Sequence, residues 1–155
     1  MLYLDSSALI KRYFKEKGSG ALNARFKRGG EIYTSVLSFA EVHGALARAF
    51  RMKEVNPKEL ASLSEAFDGD WLVGLNPIEV SLHTMFALPK LVEQYPLKAS
   101  DAIHLSTAVW LRDAVLPRAG GPRGGESVEF GVADKRLGQI GFECGLQVFN
   151  PEDED

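Results

Sequence analysis

One cysteine, Cys144, is all that the 155-residue chain carries. An internal disulfide is therefore excluded, and no Cys/His spacing reads as a zinc site. The expected role of Cys144 is a small buried apolar side chain in its glycine-flanked turn. Long apolar runs are missing too: none approaches the roughly 20 residues that span a bilayer. The chain opens on Met1-Leu2-Tyr3-Leu4 without a basic stretch and apolar signal core, so the expected location is cytoplasmic. Nor is there an excess of positive charge, with 18 Lys and Arg against 21 Asp and Glu and a formal charge of −3. A general nucleic-acid coat protein would be clearly basic and is excluded; an enzyme with a local basic patch is not. Internal repeats are absent. The one low-complexity segment, Leu116-Pro117-Arg118-Ala119-Gly120-Gly121-Pro122-Arg123-Gly124-Gly125, reads as a flexible surface loop near 116–126.

What is present is enough for one core. Apolar residues make up 45% of the chain, which supports a single domain over residues 1–150 followed by a solvated acidic tail, 151–155. Strand-like runs occur at 2–4, 31–34, 71–75, 128–132 and 146–149. Helix-like stretches lie at 8–15, 21–27, 37–52, 57–67, 77–93, 99–112 and 135–140. Pro57 and Pro77 are each read as opening a helix. Alternating strands and helices predict a three-layer α/β/α sandwich around a mainly parallel sheet. In such sheets the site lies beyond the carboxyl ends of the strands.

Four acids gather at that edge. Asp5 and Asp134 follow strand-like runs, while Glu41 and Asp101 fall in what read as the first turns of helices. Carboxylates brought together repel one another, and a shared cation relieves the repulsion. Their oxygens are hard ligands that suit Mg²⁺ or Mn²⁺. The pattern points to a metal-dependent enzyme acting on phosphates; the expected arrangement has Asp5 and Asp101 on the principal ion, Glu41 in its shell directly or through water, and Asp134 holding or helping to recruit a second ion. Each acid also has a plainer explanation. Asp5 and Asp134 can cap helices, Asp101 can answer a helix dipole, and Glu41 can be a solvated helix residue. Singly these compete evenly with function; four at one edge favour function.

The segments Leu4-Asp5-Ser6-Ser7-Ala8-Leu9, Ser38-Phe39-Ala40-Glu41-Val42, Ser100-Asp101-Ala102-Ile103-His104-Leu105 and Ala133-Asp134-Lys135-Arg136-Leu137 together resemble the PIN-domain ribonucleases, most nearly the VapC-type toxins of toxin–antitoxin pairs. The resemblance implies a Mg²⁺- or Mn²⁺-dependent endoribonuclease that leaves 5′-phosphate and 3′-hydroxyl ends, a homodimer, and a cognate antitoxin that inserts a peptide arm into the active-site groove. By position Asp5, Glu41 and Asp101 match the three core metal-binding acids, and Asp134 matches the more variable fourth. Ser6 matches the hydroxyl residue that supports a metal-bound water. One departure is Val132, where many members carry Thr. Other readings are a PIN nuclease for RNA processing or DNA structures, and a catalytically silent PIN-fold binding module.

Lys135, Arg136 and Arg12 are the candidates for substrate phosphates, although a solvated face competes for Arg12 and its neighbours Lys11 and Lys15. His104, three residues past Asp101, reads as a partly buried polar residue, because hard cations prefer oxygen. His43 and His83 have no evident company in the sequence.

Overall fold

Strand alternation sorts the apolar side chains into two cores. In the computed structural model, which describes residues 1–115 and 127–154, Leu2 and Leu4 of β1 (Leu2–Leu4) join one core and Tyr3 the other. Successive strand residues point to opposite faces, so a three-residue strand serves both. The remaining strands are β2 (Ile32–Ser35), β3 (Asn76–Ile78), β4 (Glu129–Gly131) and β5 (Gln147–Phe149). All pair in parallel, in the order β3-β2-β1-β4-β5.

Helices cover both faces. On the first lie α1 (Ser6–Leu9), α2 (Ser19–Arg28), α3 (Leu37–Arg51) and α4 (Pro57–Val73), contributing Ala8, Leu9, Leu22, Val42, Leu46 and Phe67 to its core. On the second lie α5 (Leu88–Gln94), α6 (Ala99–Val115) and α7 (Lys135–Glu143), contributing Leu91, Leu105, Ala108, Leu111, Leu137 and Ile140. This is the expected three-layer sandwich. The chain winds outward from β1 to β3, then returns beside β1 as β4. The strand order therefore reverses between β1 and β4, and the crevice at such a reversal is where doubly wound sheets bind ligands. Here β1 and β4 approach closely. A Cβ on Gly131 would fall 2.5 Å from Leu4 Cδ2, so any larger residue here would force the Leu4 side chain to move.

Several boundaries differ from the sequence expectation. Residues 71–73 end α4 instead of forming a strand, and the third strand starts at Asn76. Phe67 and Trp71 lie one turn apart and both pack on the first core, while Leu72 and Val73 are 82% and 90% exposed. An apolar run of five fits a strand or a helix end equally well by composition. Pro57 does open α4, behind an Asn56–Glu59 capping box. Pro77, by contrast, sits inside β3, an edge strand where its missing N–H is tolerated; the next helix begins only at Leu88. The first helix is shorter than expected, α1 giving way to a 3-10 turn, Ile10–Arg12.

The tail is not simply solvated either: Pro151–Asp153 forms a 3-10 turn whose Glu152 pairs with the buried Lys11 at 2.7 Å. The 116–126 loop expected from the sequence lies outside the described residues. Among the described residues no helix is long and apolar enough to cross a membrane.

Candidate active site

The site is built at the β1/β4 reversal, from β1 outward. Asp5 follows β1 directly, and its main-chain N–H continues the ladder to Gly131 O at 3.0 Å. Its extended backbone makes it the N-cap of α1, with Oδ1 accepting from the Ala8 amide at 2.9 Å. With Asp5 as the cap, the hydroxyls of Ser6 and Ser7 are left for other partners. Ser7 Oγ donates to both Asp5 oxygens, at 2.8 and 2.9 Å, and accepts the Ala133 amide at 3.0 Å. Burial pushes the Asp5 carboxyl up to about 6; the His104 ring and the hydrogen bonds from Ala8 and Ser7 pull it down, and the negative charge of Glu41 adds to the rise.

Glu41 is the fifth residue of α3 and so stands on its second turn, not its first, although the helix begins at Leu37 as the sequence pattern implies. Its Oε2 accepts from Ser6 Oγ and from His104 Nε2, the latter at 2.9 Å. Burial raises its pKa, yet the hydrogen bonds from His104 and Ser6 outweigh it and leave the carboxyl below its ordinary value. The Ser100 hydroxyl lies 3.5 Å from Asp101 Oδ1. Asp101 itself is half-buried in the first turn of α6, as expected.

Asp134 is exposed and caps α7, accepting from the Leu137 amide at 2.9 Å. Its own amide lies 3.4 Å from Ser7 Oγ, which keeps this turn against Asp5. The plainer capping role is thus realised for both Asp5 and Asp134, alongside their shared position at the crevice.

The candidate cations separate. Arg12 is committed to protein: it grips Asp70 through Nε and Nη2, reaches Asn23 at 3.0 Å, and stacks 4.0 Å over the Phe26 ring. It presents neither a solvated face nor an unengaged phosphate ligand. Lys11 is likewise buried and paired, with Glu16 and Glu152. Lys135 and Arg136 are exposed beside Asp134, and Arg136 bonds Pro96 O. His43 has company after all, in Asp68 at 3.0 Å and the rings of Phe39 and Phe67.

His104 is deeper and better connected than the sequence suggests. It is 2% exposed and touches Glu41, Ser6 and Tyr3. Thr34 does not stand out in the sequence, and Ser38 figures there only as the first residue of the Glu41 segment. They extend the network from Ser6, over distances of 3.0 and 2.6 Å, to Leu4 O, which Thr34 reaches at 2.7 Å. Ser38 precedes Glu41 by three residues, the one periodic signal that could have found it.

The donors suit a hard divalent cation. Asp5 is a buried carboxylate, and none of the ion pairs among the described residues involves it. A cation beside it would relieve that burial. Among the described residues no three His, Cys, Asp or Glu side chains are already drawn together for a metal. Glu41 Oε2 is turned instead toward Ser6 and His104. In chemistry the set fits the ion, since every candidate ligand is a carboxylate oxygen.

A doubly wound parallel sheet with a buried acid at its reversal and further acids on adjoining helix starts defines an α/β protein with an oxygen-rich polar site. The chain belongs to the PIN domain family, whose sequence profile matches residues 2–116. That span holds Asp5, Glu41 and Asp101, whereas Asp134 lies beyond it. Among curated proteins the chain is similar to Ribonuclease VapC45 and Ribonuclease VapC49 of Mycobacterium tuberculosis. Each is 28% identical over 116 residues, covering 75% of this chain and 80% of the relative. Among solved structures it is similar to VapBC2 from Rickettsia felis, crystallised with a DNA fragment from the promoter. The TM-score is 0.62 at 17% identity, covering 97% of this chain and 98% of that one, a likeness of fold.

Proposed function

We propose that the protein is a metal-dependent endoribonuclease, the toxin of a type II toxin–antitoxin pair, acting in the cytoplasm as a homodimer that a cognate antitoxin silences. The observation that carries this reading is the buried Asp5, coupled to Glu41 at the β1/β4 reversal of a PIN-domain chain whose relatives are named ribonucleases.

Asp5, Glu41 and Asp101 would hold Mg²⁺ or Mn²⁺, with Asp134 at the rim. When bound, the ion supplies Lewis acidity that offsets charge building on the scissile phosphate. The protein's own part is positioning. Ser7 and the Ala8 amide fix the Asp5 carboxylate, and Ser6 and His104 fix Glu41. A groove of about 670 Å³ runs from Ser6 and Glu41 past Phe14 and Lys15 to Arg48. It gives an extended strand both cationic and apolar contacts. Lys135 and Arg136, exposed beside Asp134, meet neighbouring phosphates. Exposed apolar side chains at Val36, Phe39 and Leu72 line a separate hollow and support burial against protein partners.

The test is cleavage of defined RNA and DNA oligonucleotides with Mg²⁺, Mn²⁺ or EDTA by wild type, Asp5→Asn and Asp101→Asn. RNA cleavage that needs the metal and disappears in both variants supports the reading. Preference for DNA structures moves it to a PIN nuclease of another role. No cleavage and no Mn²⁺ binding would leave the silent binding module.

A further inference from the structure

We propose that Tyr3 and His104 form a positioning relay for Glu41: the tyrosine hydroxyl fixes the imidazole, and the imidazole fixes the carboxylate. The inference rests on the reading of Glu41 as a site acid. Its geometry spans both cores, since Tyr3 and His104 belong to the second face of the sheet and Glu41 is on α3 of the first.

Tyr3 is fully buried and His104 nearly so. The Tyr3 hydroxyl lies 3.1 Å from His104 Nδ1, and His104 Nε2 lies 2.9 Å from Glu41 Oε2. Hydrogen counting gives a neutral ring one arrangement. The phenol keeps its proton and donates it to Nδ1, so the ring hydrogen sits on Nε2 and is donated to the carboxylate. The other tautomer would set a nitrogen lone pair against a carboxylate oxygen. The rings meet edge to face, with centroids 6.1 Å apart and planes at 70°, which holds the imidazole plane.

Two buried polar rings are a costly way to fill a core that Phe and Leu would fill without partners. Their polar atoms are satisfied in a line that ends on Glu41. The same carboxylate oxygen also accepts from Ser6, and from there hydroxyls run through Ser38 and Thr34 to Leu4 O, next to Asp5. The relay therefore sets Glu41 relative to the backbone that carries Asp5. Neither Tyr3 nor His104 needs to be a metal ligand.

Two measurements on the full-length protein test this. The first is nitrogen-15 NMR of the metal-free histidines. His104 should be the Nε2–H tautomer in wild type, and in Tyr3→Phe its Nδ1 resonance should shift as the phenol's hydrogen bond is lost, the ring staying Nε2–H because Glu41 still accepts from it. An Nδ1–H ring, or no change in Tyr3→Phe, overturns the relay. The second is Mn²⁺ calorimetry on His104→Leu and His104→Gln, alone and in a Glu41→Gln background, with thermal unfolding to show that each variant is folded. Removing the partner that orients a metal ligand typically costs about 10- to 100-fold in metal affinity. His104→Leu should lose that much, while His104→Gln, whose amide still donates to Glu41, should retain most of the affinity. In Glu41→Gln the leucine substitution should add nothing. An undiminished effect in that background would show a merely structural role and overturn the proposal. If wild type binds no Mn²⁺, the nuclease reading fails, and the NMR result still decides the relay.

Discussion

Ser7 and Asp5 share one hydroxyl hydrogen: Ser7 Oγ sits 2.8 Å from Oδ1 and 2.9 Å from Oδ2 of the carboxylate. The same oxygen accepts the Ala133 amide, so one serine ties the end of β1 to the turn carrying Asp134. Ser7→Ala removes the donor to Asp5 and leaves that amide without its acceptor. We expect a loss of about 1–2 kcal/mol by urea unfolding and about a 10-fold fall in RNA cleavage through a loosened Asp5. Ser7→Thr should retain most of both. Full activity in Ser7→Ala would show that Asp5 needs only its capping bond.

Arg12 and the pair Lys135–Arg136 should separate by readout. Arg12 grips Asp70 with two nitrogens, and both side chains are mostly buried. Arg12→Ala should cost about 2 kcal/mol of stability, the scale of a charge-assisted bond. Lys135→Ala with Arg136→Ala should leave the unfolding midpoint nearly unchanged while weakening RNA binding. For every phosphate that these two cations neutralise, the double variant should flatten the slope of log K against log salt by about 0.7, the single-strand value. An unchanged slope would remove these two residues from the substrate path.

The legible parts were those carried by local pattern. Leu2-Tyr3-Leu4 ends in a carboxylate because a short apolar strand must stop at a polar junction, and Asp101 sits in a first turn as its position after Ala99-Ser100 implies. What stayed hidden depends on residues far apart in the chain. His104 is defined by Tyr3, 101 residues away, and Arg12 by Asp70, 58 away. The strand expected at 71–75 failed because Trp71 is apolar for a helical reason, its packing beside Phe67. No local rule separates those two readings.

Gly131 offers a test of how tightly the site depends on sheet packing. A Cβ there would lie 2.5 Å from Leu4 Cδ2 and 3.4 Å from Leu2 Cδ1 and Phe149 Cδ1. Gly131→Ala should therefore destabilise by about 1–3 kcal/mol, as overpacking does. Activity should fall with it, since Leu4 adjoins Asp5. Leu4→Val, destabilising alone, should recover part of the loss in the Gly131→Ala background. Simple additivity of the two would show that the methyl group is accommodated elsewhere.

Asp5 gives the fold a pH dependence of defined sign. Its ordinary value is 3.8 and burial brings it to about 6 in the folded protein. Between about pH 4 and 6 the native state therefore holds this proton more firmly than the unfolded chain does. Stability from this group is fully present below about pH 4 and is lost as pH rises through 6. At pH 7.5 the ionised, buried carboxylate is a burden, and Asp5→Asn lifts it. About two units at 1.36 kcal/mol each set an upper bound near 3 kcal/mol for the gain. Urea unfolding in EDTA at pH 4 and pH 7.5 should show the asparagine variant gaining on wild type as pH rises. Repeating the pH 7.5 measurement with Mn²⁺ should close the gap from the other side, because a cation beside Asp5 stabilises the ionised wild type and not the variant. A difference between the two proteins that stays constant from pH 4 to 7.5 would show that Asp5 titrates alike folded and unfolded.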